Sequence, residues 1–532
     1  MGRLVGGYRS SLGWALDRRW AVLGAAVLLF SGSLRLASGL RREMTPTQDT
    51  GTFIARFQTP AGSSLSATDE AFKKIEAYLA TRPEILKYFG NVGGFGGGEV
   101  NSGMVFITMK PPAERPISKK TKKPLAQSEL MSSLRKDLKD IPGLRRVSLQ
   151  DRSQSIGGGG GRGFPIELSL QGPDWAELGK KAEDLRERLL ASGLAVDVDT
   201  SFVLGVPEVR IVPDREKAAA RGVTVAAIAR TINSTVGGVR AGRYTKGGRR
   251  YDIRVSLSDK NRSVAADISK LWVRNVRGEL VELSEVTVVL SRPTMLTVQR
   301  EDRQRSVTVT GNVAPGKSQA DAIAEAHRIA QDILPAGYRL AASGNSSQFQ
   351  DAFHELGLAL LLGIAVAYMI LAAQFNSFLH PFTILLALPF SLSGALAALW
   401  LGDHSLNMMS LIGILLLMGI VKKNSILLVE FTNAKRAAGL EARAALLTAC
   451  PLRLRPILMT SLAIVAGAAP AALTFGPGAE LRAPMSVAVI GGTLVSTLLT
   501  LYVVPCAYSL LTRLESGRHA GRLKEIEEAL AR

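Results

Sequence analysis

The chain has 532 residues, 47% of them hydrophobic, a formal charge of +20 and a mean hydropathy just above zero. That profile excludes an ordinary soluble enzyme and equally a chain made only of membrane spans; it fits a few spans joined to a large water-facing part. Aromatic residues make up only 6% and do not interleave with a basic stripe, so no nucleic-acid partner is expected. Anionic membrane lipids, an acidic partner or arginine-rich coding bias remain to account for the excess charge.

The first apolar run is Trp20 to about Leu40, preceded by Arg18 and Arg19. It reads either as an uncleaved anchor or as a signal peptide ending near Ala37-Ser38-Gly39; the anchor completes the topology better. A long polar segment follows. Gly51–Gln58, Met104–Met109 and Leu144–Leu149 read as strands, with helices over Ser64–Ala80 and Gln127–Lys139. That order is a βαβ pattern with an additional αβ, a ferredoxin-like sandwich. The glycine-rich stretch Gly157–Gly163 reads as a joint.

A second unit starts at Phe164, where Phe164, Ile166, Leu168 and Leu170 alternate as one face of a strand. Helix Ala176–Leu190 and strand Ala195–Asp199 follow. Pro207–Leu290 then breaks the rhythm with its own short strands and the helix Val225–Ile232. The βαβ style resumes at Val307–Val313, Ala320–Ile333 and Tyr338–Ala342, so an inserted subdomain is the simplest account.

Five more apolar runs close the chain: Leu356–Phe375, Phe382–Leu401, Asn407–Phe431, Pro456–Phe475 and Met485–Leu511. Pro389, Pro470 and Pro505 interrupt them, which a bundle tolerates. Thr432–Arg455 reads as a basic loop containing Cys450, whereas the connections Gly402–Leu406 and Gly476–Pro484 carry only Arg482. The positive-inside rule places that loop in the cytoplasm, both termini with it, and Arg41–Glu355 outside, in a bacterial periplasm. Two cysteines, Cys450 and Cys506, give no disulfide framework for the outer segment. The five histidines read as surface or interface residues, and no metal-ligand spacing occurs.

Lys422, Lys423 and Asn424 lie just past the middle of the third of these runs. A lysine at that depth costs about 2.5–3.5 kcal/mol and normally faces a water path or a partner. No aspartate or glutamate lies in a predicted membrane interior, so its counter-charge is expected from a second chain. Snorkelling to the interface is the alternative, and the two lysines diverge by about 100°, so they cannot share one environment.

Met418–Phe431 (MGIVKKNSILLVEF), Leu452–Thr460 (LRLRPILMT), Asn312–Ser318 (NVAPGKS) and Met44–Phe53 (MTPTQDTGTF) resemble the resistance–nodulation–division efflux permeases. The resemblance is closest to the C-terminal half of the hydrophobe/amphiphile, AcrB-type exporters and covers nearly the whole chain. It implies an α-helical membrane bundle of six spans plus α+β periplasmic porter subdomains, with an inserted docking subdomain. The implied boundaries are a cytoplasmic helix over 1–19, the first span at 20–40, porter subdomains at 41–160 and at 161–206 with 291–350, docking at 207–290, five spans at 354–512 and a tail at 513–532.

The resemblance also implies proton-driven export in a trimer, with a periplasmic adaptor and an outer-membrane channel as partners. It implies no cofactor beyond the proton gradient. The family relay joins an aspartate pair on the N-terminal half to a lysine, an arginine and a threonine here. Lys423, followed by Asn424, matches that lysine, and Arg453 and Thr460 match the other two. The aspartate pair has no counterpart, so an N-terminal half on a separate chain is expected.

Gly93, Gly94, Gly96, Gly97 and Gly98 match a switch loop, shorter here than the family pattern by about two residues. Phe95, Met104 and Phe106 match pocket-lining positions, and Phe164, Ile166 and Leu168 an entrance-cleft strand; core packing is the alternative for all of these except Phe95. No methionine ladder suggests metal export, and no nucleophile–base pair or phosphate loop suggests an enzyme. A lipid or metabolite exporter, or a non-transporting scaffold or sensor, are the competing functions.

Overall fold

The computed structural model describes residues 2–93, 99–118, 121–154, 163–258, 261, 264–295, 297–473 and 478–530. Two helices open the chain, α1 (Gly2–Asp17) and α2 (Arg19–Ser38). Tyr8, Leu12, Ala15 and Leu16 fall on one face of α1 at helical spacing and are buried against later helices.

The first α/β unit runs β1 (Thr52–Gln58), α3 (Leu65–Ala80), β2 (Ile85–Val92), β3 (Ser102–Met109), α4 (Gln127–Asp137), β4 (Arg146–Asp151). Its sheet is antiparallel in the order β2-β3-β1-β4, the ferredoxin-like arrangement. Alternation decides the faces. Phe53, Ala55 and Phe57 of β1 and Val105, Ile107 and Met109 of β3 are buried under α3 and α4. Ser64 starts α3 by accepting a hydrogen bond from the Ala67 amide. Strand β2 was not expected from the sequence. It is an edge strand, and its side chains do not alternate between buried and exposed.

A second unit begins with β5 (Ile166–Gly172), α5 (Trp175–Ala191) and β6 (Ala195–Thr200). An insertion intervenes: β7 (Leu204–Pro213), α6 (Arg215–Ala220), α7 (Val225–Ile232), β8 (Val239–Lys246), β9 (Arg249–Val255), α8 (Ala265–Ser269), β10 (Trp272–Arg274), β11 (Leu280–Glu282), α9 (Leu283–Val286), β12 (Thr287–Met295). The antiparallel pair β7–β12 leads out and back, and β8–β9 is an exposed hairpin. The unit then finishes with β13 (Gln299–Glu301), β14 (Gln304–Val313), α10 (Gln319–Ile333), β15 (Arg339–Ala342). Strand β14 lies between β5 and β6, and β15 pairs β5, repeating the first unit's order.

The remaining helices are α11 (Gly344–Phe375), α12 (His380–Leu385), α13 (Ala387–Leu401), α14 (Met408–Ala437), α15 (Ala442–Ala472) and α16 (Ala479–Leu530). With α2 they supply six helices or helix pairs long and apolar enough to cross a bilayer. Spans α13, α14 and α16 are about half buried and form the bundle core, whereas α2, α11 and α15 turn most of their surface outward. Glycines let the core helices touch backbone to backbone. A Cβ on Gly491 would meet Ala398 Cβ at 2.2 Å and the Gly394 carbonyl oxygen at 2.6 Å; one on Gly413 would meet the Met485 carbonyl at 2.8 Å.

Three expectations need correction. Residues 432–455 are not a loop: α14 continues to Ala437 and α15 begins at Ala442, because charged residues end a hydropathy run without ending a helix. Cys450 accordingly lies in α15 and is fully buried. His380 is buried too, its ring stacked on Tyr508 at 5.7 Å between centroids.

Candidate functional site

Along α14 one side carries Ile412, Leu416, Gly419, Lys423 and Glu430, all exposed. Lys423 stands in this outward row and makes no ion pair or hydrogen bond with any described residue. Lys422 is half-buried and Asn424 buried, as the roughly 100° step between neighbours requires. Helix α15 runs antiparallel to α14, and the Arg453 guanidinium carbon lies 4.5 Å from the centre of the Phe431 ring. That contact sets the register and brings Thr460 level with Asn424. Arg453 sits two turns, about 10 Å, further from the sheets. The Thr460 hydroxyl donates to the Ile457 carbonyl at 3.0 Å. The Arg453 Nε is buried without a partner among the described residues. Lys423, Asn424 and Thr460 therefore share one depth, and no hydrogen bond joins any of the four.

A second feature is a cavity of about 890 Å³ between the two α/β units. Its apolar wall includes Met104, Leu144, Val147, Phe164 and Leu190. Met104 and Phe106 point away from the first core, because Val105 and Ile107 occupy the alternate face; Phe106 instead stacks near Phe89 at 6.2 Å. Phe164 reaches the cavity, but Ile166 and Leu168 are fully buried in the second unit's core and do not line it. Gly93 begins its loop with φ +84°. Gly94, Phe95, Gly96, Gly97 and Gly98 lie outside the described residues, as does most of the joint at Gly157–Gly163.

The sequence reading missed the charges around this cavity. Arg56, Lys139, Arg145, Arg146 and Arg186 face Glu99, Glu183, Asp197 and Asp199. Burial, with Arg145 and Arg186 alongside, pulls the Arg146 guanidinium below its ordinary value, and its partner is Asp199. Burial alone would raise Glu183, but the Arg186 hydrogen bond and the Arg186 and Arg146 charges hold its carboxyl below the usual range. Deeper in, Asp197 has no exposed side chain and accepts from Arg135 Nε at 2.8 Å on both oxygens. Asn312 Nδ2 at 3.0 Å and the Leu149 amide at 3.4 Å also donate to it. Arg135 and Leu149 belong to the first unit, Asp197 and Asn312 to the second, so this carboxylate clamps the cavity's floor. Asn312 opens the NVAPGKS stretch, the one signal that could have pointed there; Ser318 in the same stretch caps α10.

The membrane helices are tied to the cleft wall. In the first turn of α11, Asn345 Nδ2 donates to the Phe164 carbonyl at 3.0 Å, and the Glu167 amide donates to Ser346 Oγ at 2.8 Å. Phe349, in the same helix, is buried in the second unit's core. Helix α11 thus begins as part of the α/β unit and continues without a break as a span. At the head of α14, Leu406 exchanges hydrogen bonds with Arg41 and Glu43, and the Met44 amide donates to Gln319 Oε1 at 2.9 Å.

A six-span bundle bearing two ferredoxin-like units, with an insertion in the second, is the architecture of half a resistance–nodulation–division permease. Residues 1–512 match the model of the AcrB/AcrD/AcrF family, and the chain belongs to that family. It is 33% identical over 517 residues to the multidrug resistance protein MdtC of Edwardsiella ictaluri, covering 96% of this chain and 49% of that protein. It is 31% identical over 513 residues to MdtC of Escherichia coli O81, with the same coverage. Among solved structures, a heavy metal efflux pump superposes with a TM-score of 0.83 at 25% identity over 96% of this chain and 52% of that one. The chain spans about half the length of the curated relatives it matches.

Proposed function

We propose that this chain is the C-terminal half of a proton-driven multidrug or amphiphile efflux permease of the bacterial inner membrane. An N-terminal half would supply the carboxylates that face Lys423. One observation carries the reading: Lys423 stands on the outward side of α14, level with Thr460, with no counter-charge among the described residues. A carboxylate brought against that side stays ionised beside the ammonium; when it takes a proton the attraction is lost and the helices can shift. The joint from α14 to residues 41–44, and the hydrogen bond from α11 to the Phe164 carbonyl ahead of β5, give such a shift a route to the cleft. A cleft with an apolar wall and dense charges of both signs suits amphiphiles that carry a charged group. In this reading both termini are cytoplasmic, residues 41–355 are periplasmic, and the working assembly is a trimer meeting an adaptor and an outer-membrane channel.

The test is export in an efflux-deficient host. The chain alone should leave drug sensitivity unchanged, and co-expression with a matching N-terminal half should restore resistance. In the assembly Lys423→Ala should abolish proton-driven export, whereas Lys422→Ala should weaken it modestly. Export by the chain alone, or equal loss from both lysines, would refute the reading.

A further inference from the structure

The inward side of α14 holds a second polar system. Ser425 lies two residues beyond Lys423, about 200° around the helix, and faces the bundle core. Its side chain is fully buried, as is that of Thr500 on α16, and Thr493 is 2% exposed. The hydroxyls of all three find no hydrogen-bond partner among the described residues. They differ from six other hydroxyls of the spans. Thr383, Ser391, Ser393, Thr432, Ser496 and Thr497 donate back to a carbonyl three or four residues earlier, the usual way a helix satisfies serine and threonine.

The unpartnered groups lie along one seam. Helices α14 and α16 run parallel, and two contacts fix their register: Tyr508 with Asn433, and Gly492 against Leu417. Both pairs have the same offset, which places Ser425 level with Thr500. Thr493, Thr497 and Thr500 follow at i, i+4 and i+7, one face of α16 over about 10 Å. Midway along it Thr497 shares a 2.7 Å hydrogen bond with Ser461 of α15. The seam is thus walled by three helices. No group from another chain reaches hydroxyls this deeply enclosed, so whatever satisfies them is small enough to enter the bundle. No described carboxylate borders the seam, which favours an uncharged ligand over a cation.

We propose that this seam binds water: a short file of buried water molecules held by Ser425, Thr493 and Thr500, with the Ser461–Thr497 pair between its ends. Buried water of this kind makes two to four hydrogen bonds to groups that lack other partners. The site stands on the opposite side of α14 from Lys423 and is independent of any relay there. Water in the seam also keeps the contact between α14 and α16 polar beside the buried apolar side chains of Val421, Leu428 and Leu501.

Radiolytic hydroxyl footprinting of the full chain in its expressing membrane tests the proposal, because bound water generates radicals in place. Val421 and Leu501 should label several-fold faster than Leu79, a dry residue of the first unit's core. Thr493→Val combined with Thr500→Val should bring that rate down to the Leu79 level, and Thr493→Ser with Thr500→Ser should retain it. If the valine pair does not accumulate, Thr500→Val alone carries the same comparison. Labelling of wild type as slow as Leu79, or unchanged in the valine variants, would overturn the site and mean that the hydroxyls turn back to their own helices.

Discussion

Asp197→Asn is the sharpest probe of how the two α/β units are held together. The substitution keeps the side chain's shape and suits the left-handed backbone at this position, φ 54°, which asparagine tolerates. What it removes is the charge that meets Arg135. Breaking a buried ion pair from one side costs about 3–5 kcal/mol. Arg135 keeps 15% exposure and can recover some hydration, so the lower end, about 3 kcal/mol, is expected. At about 1.4 kcal/mol per tenfold, the open population rises on the order of a hundredfold. The Leu149 amide reports this directly, since it donates to Asp197 across the junction. Its hydrogen-exchange protection should fall by that factor while the Leu79 region holds. Arg135→Met removes the other partner, and the double variant should cost less than the sum of the singles. A change below about threefold in Asp197→Asn, or strict additivity, would mean the clamp contributes nothing as a pair.

Three further outcomes follow from other contacts. Burial pushes the Asp151 carboxyl above its usual range, only partly offset by hydrogen bonds from Ser153 and Gln127. The native state therefore holds its proton more tightly than the unfolded chain, and stability is lost as pH rises from the usual aspartate range through the raised value. Asp151→Asn should melt higher than wild type at about pH 8, and the difference should close as the pH falls below the usual aspartate range; the opposite order would refute the sign. Gly491→Ala forces a methyl against Ala398 and Gly394, overpacking expected to cost about 1–3 kcal/mol or more, and should reduce the monodisperse fraction on size-exclusion chromatography. Gly357→Ala, whose Cβ meets open space, should not. Finally, Met104→Cys should react with a bulky water-soluble maleimide and Leu168→Cys should not; labelling at Leu168→Cys would reopen it as a cleft residue.

Periodicity made β1, β3, β5 and the major helices legible, because each buries one face and the side chains record it. Strand β2 left no such record: at the sheet's edge, ILKYFGNV has no face that must be apolar. Alternation at Phe164, Ile166 and Leu168 identified a shared face but not its direction. In the structure both faces of β5 are covered, and only Phe164, before the strand begins, reaches the cavity. The Lys423 row was legible because a charge in an apolar run is conspicuous. The clamp was not, since Arg135, Asp197 and Asn312 look like ordinary surface residues until tertiary pairing buries them. His380 was misread for the same reason, its burial depending on Tyr508 at the far end of the sequence.

The glycine contacts of α13, α14 and α16 bear on how the chain is built. Synthesis proceeds from the N-terminus, so α13 and α14 enter the membrane with their close-packing faces open. Their main partner, α16, follows only after α15 has been threaded. A lesion at Gly394, Gly413 or Gly491 therefore acts at the last step of insertion, as a shortage of finished protein rather than a slower machine. Truncation before α16 strands two earlier helices that are individually sound.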